Sequence, residues 1–124
     1  MVKMVQCVRR RPEVSLADFR EQWSLYGEKI KAGSVALGAM RCTLSTTLAV
    51  KANLQTRGGE EPFDGVAEIW FESAPAAMEA AKLPEWQSGL RAFWAFQESF
   101  VDLKRSSFFW AIENEVFDWS TELG

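Results

Sequence analysis

The chain has 124 residues, 48% of them hydrophobic, which is material for one domain with its own core. Its 17 acidic and 14 basic side chains give a net charge of −3 and a pI near 5.0, a balance that disfavours nucleic acid and other polyanions as partners. There is no histidine and there are only two cysteines, Cys7 and Cys42, far apart in the sequence. That removes the usual general base, the usual zinc ligand sets and the histidine-dependent nucleophilic triads.

Val2 to Arg10 is predicted as the first strand, ended by Pro12, which cannot donate to a ladder. Val2, Met4, Gln6 and Val8 fall on one side and Val5 and Cys7 on the other. The Arg9-Arg10-Arg11 island at its end reads as a solvated rim. Ser15 caps a helix in which Leu16, Phe19, Trp23, Tyr26 and Ile30 recur at helical spacing, with Gly27 a weak point and Gly33 the expected end. Ala39 to Leu48 is a second strand, with Met40, Cys42 and Leu44 opposite Arg41, Thr43 and Ser45. Residues 50–62 read as a loop around Gly58-Gly59, which lacks the Gly-Lys-Ser/Thr ending of a phosphate loop.

Asp64 to Ser73 is the central strand, opened by the turn pair Asp64-Gly65. Ala67, Ile69 and Phe71 form a wholly apolar side that asks for helices over it. Val66, Glu68 and Trp70 form the other side, with a carboxylate between two hydrophobes. Ser73 caps a short Ala-rich helix that Pro84 is expected to close. A second helical run from Glu85 to about Phe100 carries the stripe Trp86, Leu90, Phe93 and Gln97, widened by Trp94 and Phe96. Phe108 to Phe117 is a last strand, and 118–124 a loose tail to the single domain.

The order strand, helix, strand, strand, helices, strand predicts an α+β, ferredoxin-like βαββαβ fold with an antiparallel sheet ordered 4-1-3-2 and helices on one face. The expected bare face is Met4, Gln6, Val8, Arg41, Thr43, Val66, Glu68 and Trp70. Left uncovered it would be an apolar patch. A second copy packed sheet to sheet would cover it and leave polar groups lining a barrel cavity. Cys7 and Cys42, with a strand between them, would sit roughly 10 Å apart, too far for a disulfide. Free thiols fit a reducing cytoplasm. No apolar run approaches the roughly 20 residues of a membrane span, and Lys3, Gln6 and Arg9 break any signal-peptide pattern.

At this point the chain resembles the EthD-domain group of the dimeric α+β-barrel superfamily. Arg9-Arg-Arg-Pro-Glu-Val-Ser-Leu-Ala-Asp-Phe-Arg-Glu-Gln-Trp23 is similar to the family's strand end, cap and Phe-x-x-x-Trp helix. Asp64-Gly-Val-Ala-Glu-Ile-Trp-Phe-Glu-Ser73 resembles its central-strand motif, and is the most specific of the three stretches. Gln97-Glu-Ser-Phe-Val-Asp102 with Glu113-Asn-Glu-Val116 is similar to its acidic helix end and final strand. The family pattern places a His in a Trp-x-x-x-His setting; here Trp23-Ser-Leu-Tyr-Gly27 puts Tyr26 or Gly27 in that region. The resemblance implies a homodimer through the sheet faces and a small hydrophobic or aromatic carbonyl compound in the barrel cavity. Haem, bound by some related barrels, most often needs an axial His and is set aside, so no cofactor is expected.

Two functional readings follow, beside a third in which the chain is a dimeric scaffold whose cavity its own side chains fill. In one, the protein catalyses isomerisation, cyclisation or dehydration by proton transfer, with Glu68 as base and Tyr26 as electrophilic partner. In the other it is a non-catalytic ligand-binding or accessory protein of a degradation pathway. Family members often carry oxidative-degradation labels, although nothing in these residues supplies redox chemistry. Each candidate also has a plainer reading. Glu68 could pair with Arg41 or with a residue of a second copy, and Tyr26 could be a core tyrosine with its hydroxyl at the surface. Gln6, Arg41 and Asn114 could orient a polar ligand or face solvent. Trp70 and Trp110 could wall an aromatic ligand or pack a dimer.

Overall fold

The structure, a computed structural model, describes residues 1–34, 37–48 and 61–120. Its elements are β1 (Val2–Val8), α1 (Leu16–Ser34), β2 (Arg41–Thr46), β3 (Gly65–Phe71), α2 (Ala74–Ala81), α3 (Pro84–Gln97) and β4 (Ser107–Ile112), with a short 3-10 turn at Leu103–Arg105 before β4. The sheet runs β2-β3-β1-β4, antiparallel throughout, which is the 4-1-3-2 ferredoxin-like order read from the other edge. Most of the predicted loop lies outside the described residues.

Local chemistry accounts for the elements. Ser15 Oγ accepts from Asp18 N–H at 3.1 Å and opens α1. Phe19, Trp23, Tyr26 and Ile30 are then buried on one stripe, and the rings of Phe19, Trp23 and Tyr26 stack in sequence at 5.6 and 5.2 Å. Ser73 Oγ accepts from Ala76 N–H at 3.2 Å and caps α2. Pro84 does not close that helix; it occupies the first turn of α3, where a missing N–H costs nothing. The turn pair Asp64-Gly65 also has another purpose. Gly65 begins β3 at an ordinary φ, and a Cβ there would stand 2.9 Å from the Trp23 indole and 3.2 Å from Phe19. Glycine is required because α1 lies against the strand.

The arginine island braces the lower end of the sheet. Arg10 pairs with Asp64 at 2.8 Å, and Arg9 donates to the carbonyls of Glu61 and Arg105 with its guanidinium 4.0 Å from the Phe63 ring. β4 is shorter than expected, ending at Ile112. Its last residue Ile112 stands 84% exposed, and beyond it Val116, Phe117 and Trp119 stand 82%, 68% and 61% exposed. No helix among the described residues is long and apolar enough to cross a membrane.

Register decides the faces. Gln6 pairs with Ala67, Met4 with Ile69 and Val2 with Phe71, so this side of β1 lies under the helices. Trp110 pairs with Met4 and joins them. The open face is made instead of Lys3, Val5, Cys7, Arg41, Thr43, Val66, Glu68, Trp70 and Phe109. The expectation that Met4, Gln6 and Val8 share a face with Glu68 is therefore corrected. Both sides of β1 are largely apolar, so its alternation separates two sets of residues without saying which one the helices cover.

Candidate functional site

Beneath α1 and α3 the structure places two neutral amides and one hydroxyl inside an aromatic core. Gln6 is 7% and Gln97 0% exposed. Gln6 Nε2 donates to Gln97 Oε1 at 2.7 Å, and Gln97 Nε2 donates back to Gln6 Oε1 at 2.9 Å. The Tyr26 hydroxyl donates to the same Gln6 oxygen across a longer 3.5 Å. Every buried side-chain polar atom described has a partner, which is what burial demands. Each amide nonetheless keeps a second N–H, and at 3.5 Å the tyrosine bond is weak enough to be exchanged. Phe93 meets Tyr26 edge-on at 5.9 Å and Phe96 stacks on it at 6.2 Å.

Two seams of space adjoin this triad. One, the outer seam, touches Gln6 and Tyr26 and runs out to Trp94 and Phe108; the other lies against Phe71 and Trp86. They share Met4, Ile69, Leu90 and Phe93 as walls, and each holds about 10 Å³, roughly room for one water. At the outer end Trp94 and Phe108 meet edge to face at 5.9 Å, and both remain two-fifths exposed, at 39% and 40%. Burial, with a smaller contribution from nearby Cys42, pushes the Tyr26 hydroxyl well above the ordinary tyrosine range. It is thus a neutral O–H donor at any physiological pH, and the only titratable group among the described residues lining the outer seam. The arrangement can hold a carbonyl oxygen; it offers no base.

The polar groups of the open face are built differently. Lys3 Nζ pairs with Glu68 at 2.7 Å and lies 3.7 Å from Glu113. Trp70 is 5% exposed because Lys3 and Arg41 cover its ring from the neighbouring strands, at 5.1 and 4.6 Å from the centroid. Its indole N–H donates to Glu113 Oε2 at 2.6 Å. That bond first, and Lys3 after it, holds the Glu113 carboxyl below the ordinary range, while the bond to Glu68 raises the Lys3 ammonium. Within the chain the counter-ion of Glu68 is Lys3, rather than the Arg41 named in the sequence reading.

The structure therefore divides the predicted residues. Glu68, Arg41 and Trp70 come together on the open face. Tyr26 and Gln6 come together on the other side, under the helices. Trp110 is also on that side, against Phe71 and Trp86 at 5.7 and 6.2 Å, away from Trp70. Asn114 lies beyond the end of β4 and is exposed. Glu68 and Tyr26, paired as base and electrophile in the sequence reading, are separated by the thickness of the sheet. Gln97 was visible only as a stripe member. A glutamine at a position otherwise reserved for core residues was the signal that it needed a buried partner.

The EthD domain pattern matches residues 11–92, well over half of the chain. The chain belongs to the EthD domain family. A hydroxynitrile lyase from Passiflora edulis is similar in structure to this EthD chain, at 17% identity and a TM-score of 0.61, covering 94% of this chain and 96% of that one. An ethyl tert-butyl ether d (EthD) family protein from Bacillus halodurans is similar at 14% identity and a TM-score of 0.59, covering 92% and 99%. A dimeric protein of unknown function with a ferredoxin-like fold from Bacteroides fragilis is similar at 12% identity and 0.58, covering 90% and 95%. At these identities the likeness extends to the fold alone. A comparison with the curated proteins found no match.

Proposed function

We propose that this EthD-domain protein binds a small hydrophobic or aromatic carbonyl compound between the helices and the sheet. This reading puts the ligand under the helices, where the sequence reading had put it in a sheet-to-sheet cavity. The observation that carries this reading is the Tyr26–Gln6–Gln97 triad, a set of neutral donors and acceptors buried among rings and flanked by two seams. A ligand enters by parting Trp94 and Phe108 and widening the seams. The Tyr26 O–H then leaves its 3.5 Å contact to donate to the ligand carbonyl. Because Glu68 stands on the other face in an ion pair, the reading is one of binding, with catalysis by a Glu68–Tyr26 pair set aside. The lyase named above performs its reaction on a related fold, which is no evidence for that reaction here.

A second copy completes the picture. Phe109 is 47% exposed on the open face, and the tail beyond β4 leaves Val116, Phe117 and Trp119 in water. Two copies packed through their open faces remove both from solvent, as in the neighbours described as dimeric.

Calorimetric titration with acetophenone, and with styrene as its counterpart lacking the carbonyl, tests the binding reading. Acetophenone is expected to bind more tightly. Tyr26→Phe should weaken it about threefold to tenfold, the worth of one neutral hydrogen bond, and leave styrene unchanged. Equal affinities for the two compounds in the wild type would refute the role given to the triad.

A further inference from the structure

One open space in the described structure belongs to neither the triad nor the open face. It is a trough of about 610 Å³, within the usual size of small-molecule sites, where α1 overhangs the outer edge of β2. Its helical wall is the stripe Arg20, Trp23, Gly27 and Lys31, and its floor includes Cys42 and Leu44. Gly27, a weak point for the helix, has a reason to be there. A Cβ would come within 2.9 Å of the Leu44 side-chain tip, so its absence leaves that side chain room under α1.

The two walls run in opposite directions. Arg20 donates to the carbonyl of Thr47 at 3.1 Å, Trp23 to that of Ser45 at 3.2 Å, and Gly27 lies over Leu44. Arg20 thus stands at one end, and Lys31 at the other beside Met40. Eleven residues of helix separate these cations by roughly 16 Å. No carboxylate is among the described residues that line the trough, although the chain as a whole carries 17 acidic against 14 basic groups. Arg41 also borders it, but its guanidinium is committed to Trp70. Arg20 uses one nitrogen for Thr47 and keeps the rest of its fork, the geometry suited to a carboxylate.

We propose that this trough binds an extended aliphatic carboxylate, its head on Arg20 and its chain lying past Gly27 towards Met40. The site is separate from the triad and does not depend on the function proposed for it.

The four methionines supply reporters, since Met40 lines the trough and Met4 the seams. In protein labelled with 13C at the methionine methyls, decanoate should shift Met40 saturably and leave Met4 in place. Decanol, with the same chain and no charge, should bind about fivefold more weakly, as should decanoate to Arg20→Gln, the scale of one exposed ion pair. Arg20 is exposed, so its variant should fold, and the wild-type comparison stands without it. A silent Met40, equal binding of decanol, an unchanged Arg20→Gln, or a response carried by Met4 would each overturn the proposal.

Discussion

On the helix side of the sheet the polar groups are neutral, buried and bonded to one another; on the open side they are charged and partly exposed. Gln6 and Gln97 share two hydrogen bonds in a buried site. Lys3 and Glu68 share one ion pair with their side chains still 22% and 24% exposed. The difference teaches what each face can do. A neutral pair under rings can exchange a bond with a neutral ligand at little cost. A charged cluster around a tryptophan is better suited to setting the register of a second sheet laid across it.

The largest contrast is expected from one ring on each face. Phe19→Ala empties a fully buried site and should cost about 3–5 kcal/mol in urea unfolding. Phe109→Ala should leave the unfolding of the monomer within about 1 kcal/mol, because its ring is 47% exposed, and act instead on dimer dissociation in sedimentation. Next comes the amide pair. Gln97→Leu strands Gln6 and should cost about 1–3 kcal/mol, while Gln6→Leu combined with Gln97→Leu should recover most of that loss. A double variant worse than the sum of the singles would mean that the pair is not the unit described.

Smaller effects belong to the open face. Glu68→Gln should change monomer stability by no more than about 1 kcal/mol, as for other partly exposed ion pairs. It should also leave acetophenone affinity unchanged, since the sheet stands between. The smallest effect is the response to pH. The Glu113 carboxyl is lowered, so its share of stability is present above the ordinary value of 4.5 and lost as pH falls through its folded value. The Lys3 ammonium is raised, so its share is present below 10.5 and lost as pH climbs through its folded value. Between those limits this cluster should contribute a flat term to the urea midpoint, and Glu113→Gln should abolish the acid limb.

How much of this was legible depended on how one-sided each segment is. Ala67, Ile69 and Phe71 are apolar without exception, so the faces of β3, and with them the position of Glu68, could be read directly. The α1 stripe was equally plain, because large rings recur at three- and four-residue spacing. β1 offered two apolar sides, and only its pairing of Gln6 with Ala67 reveals which one the helices cover. Trp110 inherits its side from the same register. Pro84 looked like an ending because proline stops a helix it follows as readily as it starts one it precedes. The triad itself could not be foreseen, since Gln6 and Gln97 are 91 residues apart and nothing local ties them together.

The division of labour between the faces rests on where a ligand goes, and the methionine methyls report that most directly. Met4 is buried in the seams, while Met1, Met40 and Met78 are exposed at 56%, 58% and 49%. Titrated with acetophenone, the Met4 methyl should shift saturably and alone, and Tyr26→Phe should weaken that shift. A Met4 signal unmoved at millimolar acetophenone would contradict the account.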